Sequence, residues 1–342
     1  MKKKKKEKKI LYQLIFSAFL LFSNAYLVKA NSDILSQDST GKYCINTEQD
    51  YYNFIENIQN YNNKTVILCN DIDISDVPEA TSSFGGILNG KGHTITYASK
   101  EAKENIAVFP FRINDNGIVE NINVQIDESY AYNSETDEFQ TVFSQCDGIA
   151  KGITIKGNVT CIYDDEDEDV SIGAIEGNGT LMDSSIAITY DLQSEKTIEE
   201  IAEDIVENDL EFEFCQLGTT YTGITYQNCI GYGQYSEAIK SLADELEPKI
   251  EDDTWGSLYV SFTRKSFFST SASATNCYYD KENMPDIKIR SEYIANRDNN
   301  KEFPNYADFG KTTSEMKNQG TYEGFDFNKK WTISPEDNNG YP

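Results

Sequence analysis

Three glycines, Gly117, Gly148 and Gly179, each open a copy of one short pattern, and they stand 31 residues apart. The copies run Gly117–Val124, Gly148–Ile155 and Gly179–Ile186. In each, small or apolar residues take alternate places, which is the side-chain period of a strand. Looser copies follow at Ile224–Ile230 and Ala274–Tyr279. A fixed period of this length restricts a chain to a solenoid, a propeller or a stacked array. One short strand per repeat predicts parallel strands piled at about 4.8 Å. A propeller blade needs four strands in about 40 residues, and the segments between the copies are too irregular for that.

Ahead of the repeats, Phe84 to Ile95 reads FGGILNGKGHTI, with Gly85, Gly86, Gly90 and Gly92 between apolar Phe84, Ile87, Leu88 and Ile95. Brief strands separated by glycine and Asn-Gly corners are a chain turning repeatedly. Before it, Lys42–Asn46 predicts a strand. Thr47 with acidic early positions predicts a helix over Glu48–Asn60, through Tyr51, Phe54, Ile55 and Ile58. Thr65–Cys69 predicts a further strand, followed by Asn70-Asp71-Ile72-Asp73-Ile74. Thr197–Glu211 and Tyr235–Glu247 carry apolar residues at helical spacing and predict inserted amphipathic helices.

These motifs resemble the secreted and surface bacterial right-handed β-helix proteins of the GLUG-motif and filamentous-haemagglutinin-like, adhesin type. The likeness lies in the 84–95 stretch and in Tyr43-Cys44-Ile45 leading to the helix and to Asn70-Asp71-Ile72-Asp73. It returns in Asn276-Cys277-Tyr278-Tyr279 and in the tail, through Thr312-Thr313, Met316-Lys317, Tyr322-Glu323-Gly324-Phe325-Asp326-Phe327, Trp331-Thr332-Ile333 and Gly340-Tyr341-Pro342. It covers 43–95 and 271–342; the middle matches only as repeated strands, and the full GLUG tetrad is missing. The resemblance implies an all-β, right-handed parallel β-helix with a helix-containing N-terminal cap and a closing C-terminal β tail.

The expected organisation is a signal peptide over 1–30, a flexible leader over 31–41, the N-terminal cap over 42–83, the β-helix over 84–285 and a C-terminal cap over 286–342. Insertions are expected at 193–215 and 235–255. The first segment joins a lysine-rich start to apolar Ile10–Phe22 and a small-residue site ending at Ala30. Its apolar core of about thirteen residues is short for a membrane span of roughly 20. Export to a secreted or cell-surface location follows, with an uncleaved anchor as the alternative.

The formal net charge is −27, with the eight lysines of the first thirty residues offsetting it. Such a chain repels nucleic acid and anionic membranes, so neither is an expected partner. Hydrophobic residues at 39% and aromatics at 12% suffice for a packed core. Seven cysteines, Cys44, Cys69, Cys146, Cys161, Cys215, Cys229 and Cys277, are odd in number. If a bridge forms, Cys44–Cys69 comes first, since the two flank one predicted helix. Cys229 and Cys277 share a repeat position and are expected to stack. Buried thiols and a disulfide framework both stay open.

Chemistry-bearing residues are sparse in pattern. His93 is the single histidine, so any Ser–His–Asp or Cys–His device must use it; in GKGHTI it reads as a packed or corner-bonding residue. Asn70, Asp71 and Asp73 have the residue types of calcium ligands but not EF-hand spacing. Asp164–Asp169 is the densest acidic run, a solvated tip rather than a tuned acid/base pair. Arg264 and Arg290 carry no mark of a lyase base. Tyr221, Tyr226, Tyr232, Tyr235, Tyr278 and Tyr279, with Trp255 and Tyr259, are either an inward ladder or an exposed stacking surface. No catalytic, cofactor-binding or metal-ligating residue is assigned, and calcium at the acidic loops is the one cation alternative. The expected function is a non-catalytic, adhesin-like binding or structural protein with an extracellular glycan or protein ligand. The alternatives are a carbohydrate-active enzyme with two acidic residues and a passive stalk.

Overall fold

The computed structural model describes residues 35–75, 77–78, 80, 82–98, 107–132, 139–163, 169–218, 223–251, 254–261, 273–284, 286–291, 306–336 and 338–342. Among them, a 14-stranded sheet has as its spine Ser36–Gln37, Tyr43–Ile45, Thr65–Leu68, Ile87–Asn89, Ile118–Tyr132, Ile149–Ile162, Thr180–Gln193, Thr225–Gly231, Tyr278–Asp280 and Gly310–Lys311. A 6-stranded sheet runs Phe109–Ile113, Phe139–Cys146, Val170–Ile175, Glu211–Cys215, Ser257–Ser261 and Ile287–Ile289.

The repeat sets the register of the large sheet. Val119, Ala150, Leu181 and Tyr226 are paired in succession across four parallel strands, as are Val124, Ile155 and Ile186 across three. All are buried. In the smaller sheet Val170 pairs with Phe212 and Phe212 with Leu258, while Ile172 pairs with Phe214 and Phe214 with Val260. Side chains of both sheets fill one continuous core. Fully burying an aliphatic or phenyl side chain contributes about 1.5–3 kcal/mol, so recurrence of such residues at one spacing holds the strands in register.

Between the two straight parts of each long strand the backbone turns through a left-handed corner. Asn121 (φ 56°), Gly152 (φ 62°), Asp183 (φ 49°), Asn228 (φ 53°) and Asn276 (φ 53°) occupy it in successive strands. Asn, Asp and Gly are the residues that tolerate this region. The stack is tied by side chains: Asn228 Nδ2 donates to Asp183 Oδ1 at 2.9 Å, and Asn276 Nδ2 to Asn228 Oδ1 at 3.3 Å.

Helix α1, Glu48–Glu56, is capped by Thr47, whose hydroxyl accepts from the Asp50 N–H at 3.2 Å, and it buries Tyr51, Phe54 and Ile55. It is shorter than the predicted Glu48–Asn60. Asn57 turns its amide back onto the Asn53 carbonyl at 3.0 Å, and a 3₁₀ turn follows at Ile58–Tyr61. Cys44 and Cys69 are joined in a disulfide. Helix α2, Ile198–Glu207, starts from a Thr197/Glu200 capping box and stops before Asp209, which is left-handed at φ 58°. Helix α3, Glu237–Leu246, is capped by Ser236 and packs against α2 and the Thr180–Gln193 strand. The last segment, 306–342, holds the short helices Tyr306–Phe309 and Thr313–Met316. It lays Met316, Tyr322, Phe325, Trp331 and Tyr341 against Ile230 as a second apolar cluster.

This architecture corrects the expected all-β, right-handed parallel β-helix. The sheets are mixed. Ser36–Gln37 runs antiparallel to Tyr43–Ile45, and Ser257–Ser261 antiparallel to Ile287–Ile289. Helices are set among the strands along the chain, so the class is α/β. A fixed sequence period reports only the positions that recur. It carries no information on how edge strands pair, nor on the segments between copies, whose helical apolar faces must find a surface to bury.

The expected signal peptide over 1–30, the run Asp164–Glu168, Tyr221 and Arg264 lie outside the described residues. Among those described, no helix is long and apolar enough to cross a membrane, and no group of three or more His, Cys, Asp and Glu is placed to hold a metal ion.

Candidate functional site

The face of the large sheet turned away from the core is where the strands present polar side chains. Thr94, Asn123, Thr154 and Ser185 are in register across four parallel strands. They form one row of hydroxyl and amide groups, spaced by about 4.8 Å as the strands are. Beside this row stand Glu120 and Lys151, also in register, with Lys151 Nζ 2.8 Å from Glu120 Oε2. Asn89 Nδ2 donates to the other Glu120 oxygen at 2.5 Å.

The C-terminal segment walls this face. Lys330 Nζ lies 2.5 Å from Asp183 Oδ2, and Lys156 donates to the side-chain oxygen of Asn338. Trp331 is 7% exposed and packs on Phe325 at 4.7 Å. Its Nε1–H meets no acceptor among the described residues. Between wall and sheet opens a groove of about 560 Å³, lined by Asn123, Thr154 and Ser185 on its floor and by Lys329, Lys330, Trp331 and Thr332 on its wall. Gly92, Asn121, Gly152 and Asp183 line it along the corner. At Gly152 a Cβ would approach Asn121 Oδ1 to 2.9 Å, so a side chain there would crowd the corner as well as strain the backbone.

A deeper anchor fixes the wall. Asp280 is fully buried and accepts from Thr313 Oγ1 at 2.8 Å, Asn283 Nδ2 at 2.9 Å, the Glu282 N–H at 3.0 Å and the Tyr341 hydroxyl. Burial pushes its carboxyl up, but the bonds from Tyr341, Thr313, Asn283 and Glu282 together hold it below the ordinary carboxylate value. Burial and the Asp280 carboxylate push the Tyr341 hydroxyl up to about 12.

The residues singled out from the sequence are scattered around this groove and do not build it. His93 Nδ1 lies 3.0 Å from Asp71 Oδ1, which also accepts from the Thr94 N–H at 2.8 Å. That backbone bond, then His93, lowers the Asp71 carboxyl. The pair closes a corner. Asn70 Nδ2 reaches the Asn46 carbonyl at 3.4 Å, and Asp73 points outward between buried Ile72 and Ile74. Asp169 accepts from the Glu211 N–H at 2.6 Å. The Arg290 guanidinium lies 5.6 Å from the centre of the Tyr259 ring. Tyr226, Tyr235, Tyr259 and Tyr279 are buried. Tyr232 stacks on Tyr341 at 4.6 Å, and Tyr278 meets Tyr322 edge-on at 5.3 Å. The described later tyrosines therefore fill the interior or seat the tail, and Trp255, 43% exposed, is the outlying aromatic.

Sequence reasoning missed Glu120, Lys151, Asp183 and Lys330. The 31-residue spacing puts Asn121, Gly152 and Asp183 on one corner. Nothing local in the sequence joins Lys330 to Asp183, 147 residues away. Compared with known proteins, the chain matches no family model, no curated protein and no solved structure.

Proposed function

We propose that this chain is a secreted or cell-surface binding protein without catalytic activity, holding an extracellular glycan or protein ligand in the groove between its tail and its large sheet. The observation that carries the reading is the groove's construction. In-register polar side chains form its floor, and a segment from the far end of the sequence, latched by Lys330 to Asp183, forms its wall. Concave surfaces with convergent polar groups are the usual place for a ligand. Export is supported by the lysine-rich start followed by the apolar run Ile10–Phe22. The non-catalytic reading is supported by the setting of the groove's carboxylates. Glu120 and Asp183 are each engaged by a lysine, at 2.8 and 2.5 Å, whereas the acid of a glycosidase stands in an apolar pocket away from such a cation.

The test is an array of extracellular glycans and proteins probed with the wild-type chain and with Thr154→Trp, which fills the floor of the groove. Binding by the wild type that is lost in the variant supports the reading. A ligand held equally by both, or none bound at all, sinks it.

A further inference from the structure

We infer that the groove takes a linear, neutral oligosaccharide laid across the strands, one sugar unit to each strand. The inference rests on the binding function proposed above and names its ligand class. Asn123, Thr154 and Ser185 repeat one kind of group, a short hydroxyl or amide side chain, at one position in consecutive strands; Asn123 and Thr154 are half-buried, and Ser185, 4% exposed, ends the row at the groove's deepest point. A row with a constant step of about 4.8 Å is matched by a ligand that itself repeats at the length of a hexose. A sugar offers donor and acceptor hydroxyls to such a row, and Thr and Asn side chains both give and accept hydrogen bonds.

Asn123 already donates its Nδ2 to the Gly92 carbonyl at 2.8 Å. This fixes the amide and leaves its oxygen turned to accept. A peptide is a poorer fit. It would need an open strand edge or apolar side-chain pockets, and the floor here is the polar face of strands already paired on both sides. A strongly charged ligand is also disfavoured, because Glu120 and Asp183 are held by Lys151 at 2.8 Å and Lys330 at 2.5 Å and the groove's charges stand largely in pairs. Trp331 in the wall is 7% exposed and packed on Phe325, so it borders the ligand and reports its arrival without stacking on it.

The test titrates the full chain carrying Trp255→Phe, so that Trp331 is the remaining tryptophan reporter, with neutral β-1,4-linked oligomers of glucose, mannose and N-acetylglucosamine. Lengths run from one to six units, with calorimetry in parallel. Affinity that climbs with each unit up to three, one for each floor strand, and then levels, and that falls about tenfold in Thr154→Val, is the expected result. Thermal unfolding of the variant controls for folding. Uronate oligomers binding more tightly than neutral ones through Lys329, or affinity independent of length, overturns the neutral-polymer inference while leaving a binding groove. If no saccharide binds but Thr154→Trp abolishes capture of an arrayed protein, the sugar is wrong and the binding function stands. If nothing binds in either assay, both fall.

Discussion

Lys330 Nζ and Asp183 Oδ2 stand 2.5 Å apart and join residues 147 positions distant in sequence. The lysine side chain is 55% exposed and the aspartate 14%, so the two ends of this contact are unequal. Lys330→Ala removes one partly screened charge and costs about 0.5–1 kcal/mol. Asp183→Ala removes the same pair. It also removes the acceptor of Asn228 and puts alanine in a left-handed corner at φ 49°, so it costs about 2–3 kcal/mol. Urea unfolding curves of both variants check this, and equal losses would mean that the corner contributes nothing beyond the ion pair. Added salt should narrow the gap between wild type and Lys330→Ala, since the exposed half is screened.

The buried Asp280 makes the tail sensitive to acid. Its carboxyl is held below the ordinary value in the folded chain. It therefore contributes stability that is present above the unfolded value of about 3.9 and is lost as the pH falls through that value toward the folded one. Asp280→Asn should lower stability at neutral pH and flatten the acid limb, with the two curves converging once the pH has fallen below the folded carboxyl's lowered value. Unfolding midpoints measured between pH 2 and 7 decide it. Parallel curves for wild type and variant would show that the carboxylate is not what holds Tyr341 and Thr313.

The parallel stacking of strands was legible in the repeat because burial requires it. Ala150 cannot leave the core position under Val119 and above Leu181 without exposing its neighbours. The bounds of α2 were nearly legible through Thr197 and Glu200, a local capping interaction. The mixed, helix-bearing class was not, because Leu258 pairing antiparallel with Ile289 depends on which edge the chain meets last. The groove was legible only in half. Its floor repeats with the strands, but its wall is brought there by packing of Trp331, Phe325 and Tyr322 on Tyr278 and Ile230. No short-range pattern records where such a tail lands.

The cysteines divide into two chemical kinds. The Cys44–Cys69 disulfide closes a loop of sequence separation 25 around α1, and restraint of the unfolded chain by a loop of that size contributes about 3 kcal/mol. Reduction should lower the unfolding midpoint by a corresponding amount. The other five cysteines are buried, and burial pushes the Cys146 and Cys161 thiols up to about 12. Since the thiolate is the reactive form, an aromatic disulfide reagent at pH 8 should label the native chain slowly and the urea-unfolded chain at five sites. Rapid native labelling would contradict the buried placement.

Gln216 repairs a break in the large sheet. Gly231 pairs with Ile186 and Gln234 with Thr189, but the chain between them leaves the ladder, and Ile188, in register with Gly157 on its other side, has no strand partner on this one. The Gln216 amide takes that place: its Oε1 accepts from the Ile188 N–H at 3.1 Å and its Nε2 donates to the Ile188 carbonyl at 2.7 Å. All of this is buried. Gln216→Leu keeps the bulk and strands both backbone groups, so it should cost about 2–4 kcal/mol. Gly233→Ala should cost a comparable amount through a different cause, since its Cβ would sit 2.2 Å from the Ile188 oxygen and 2.4 Å from Gln216 Oε1. The two changes strike one contact, so the double variant should lose less than the sum of the singles. Chemical denaturation of the four-member cycle measures this, and strictly additive losses would show that the amide bridge and the close approach at Gly233 act independently.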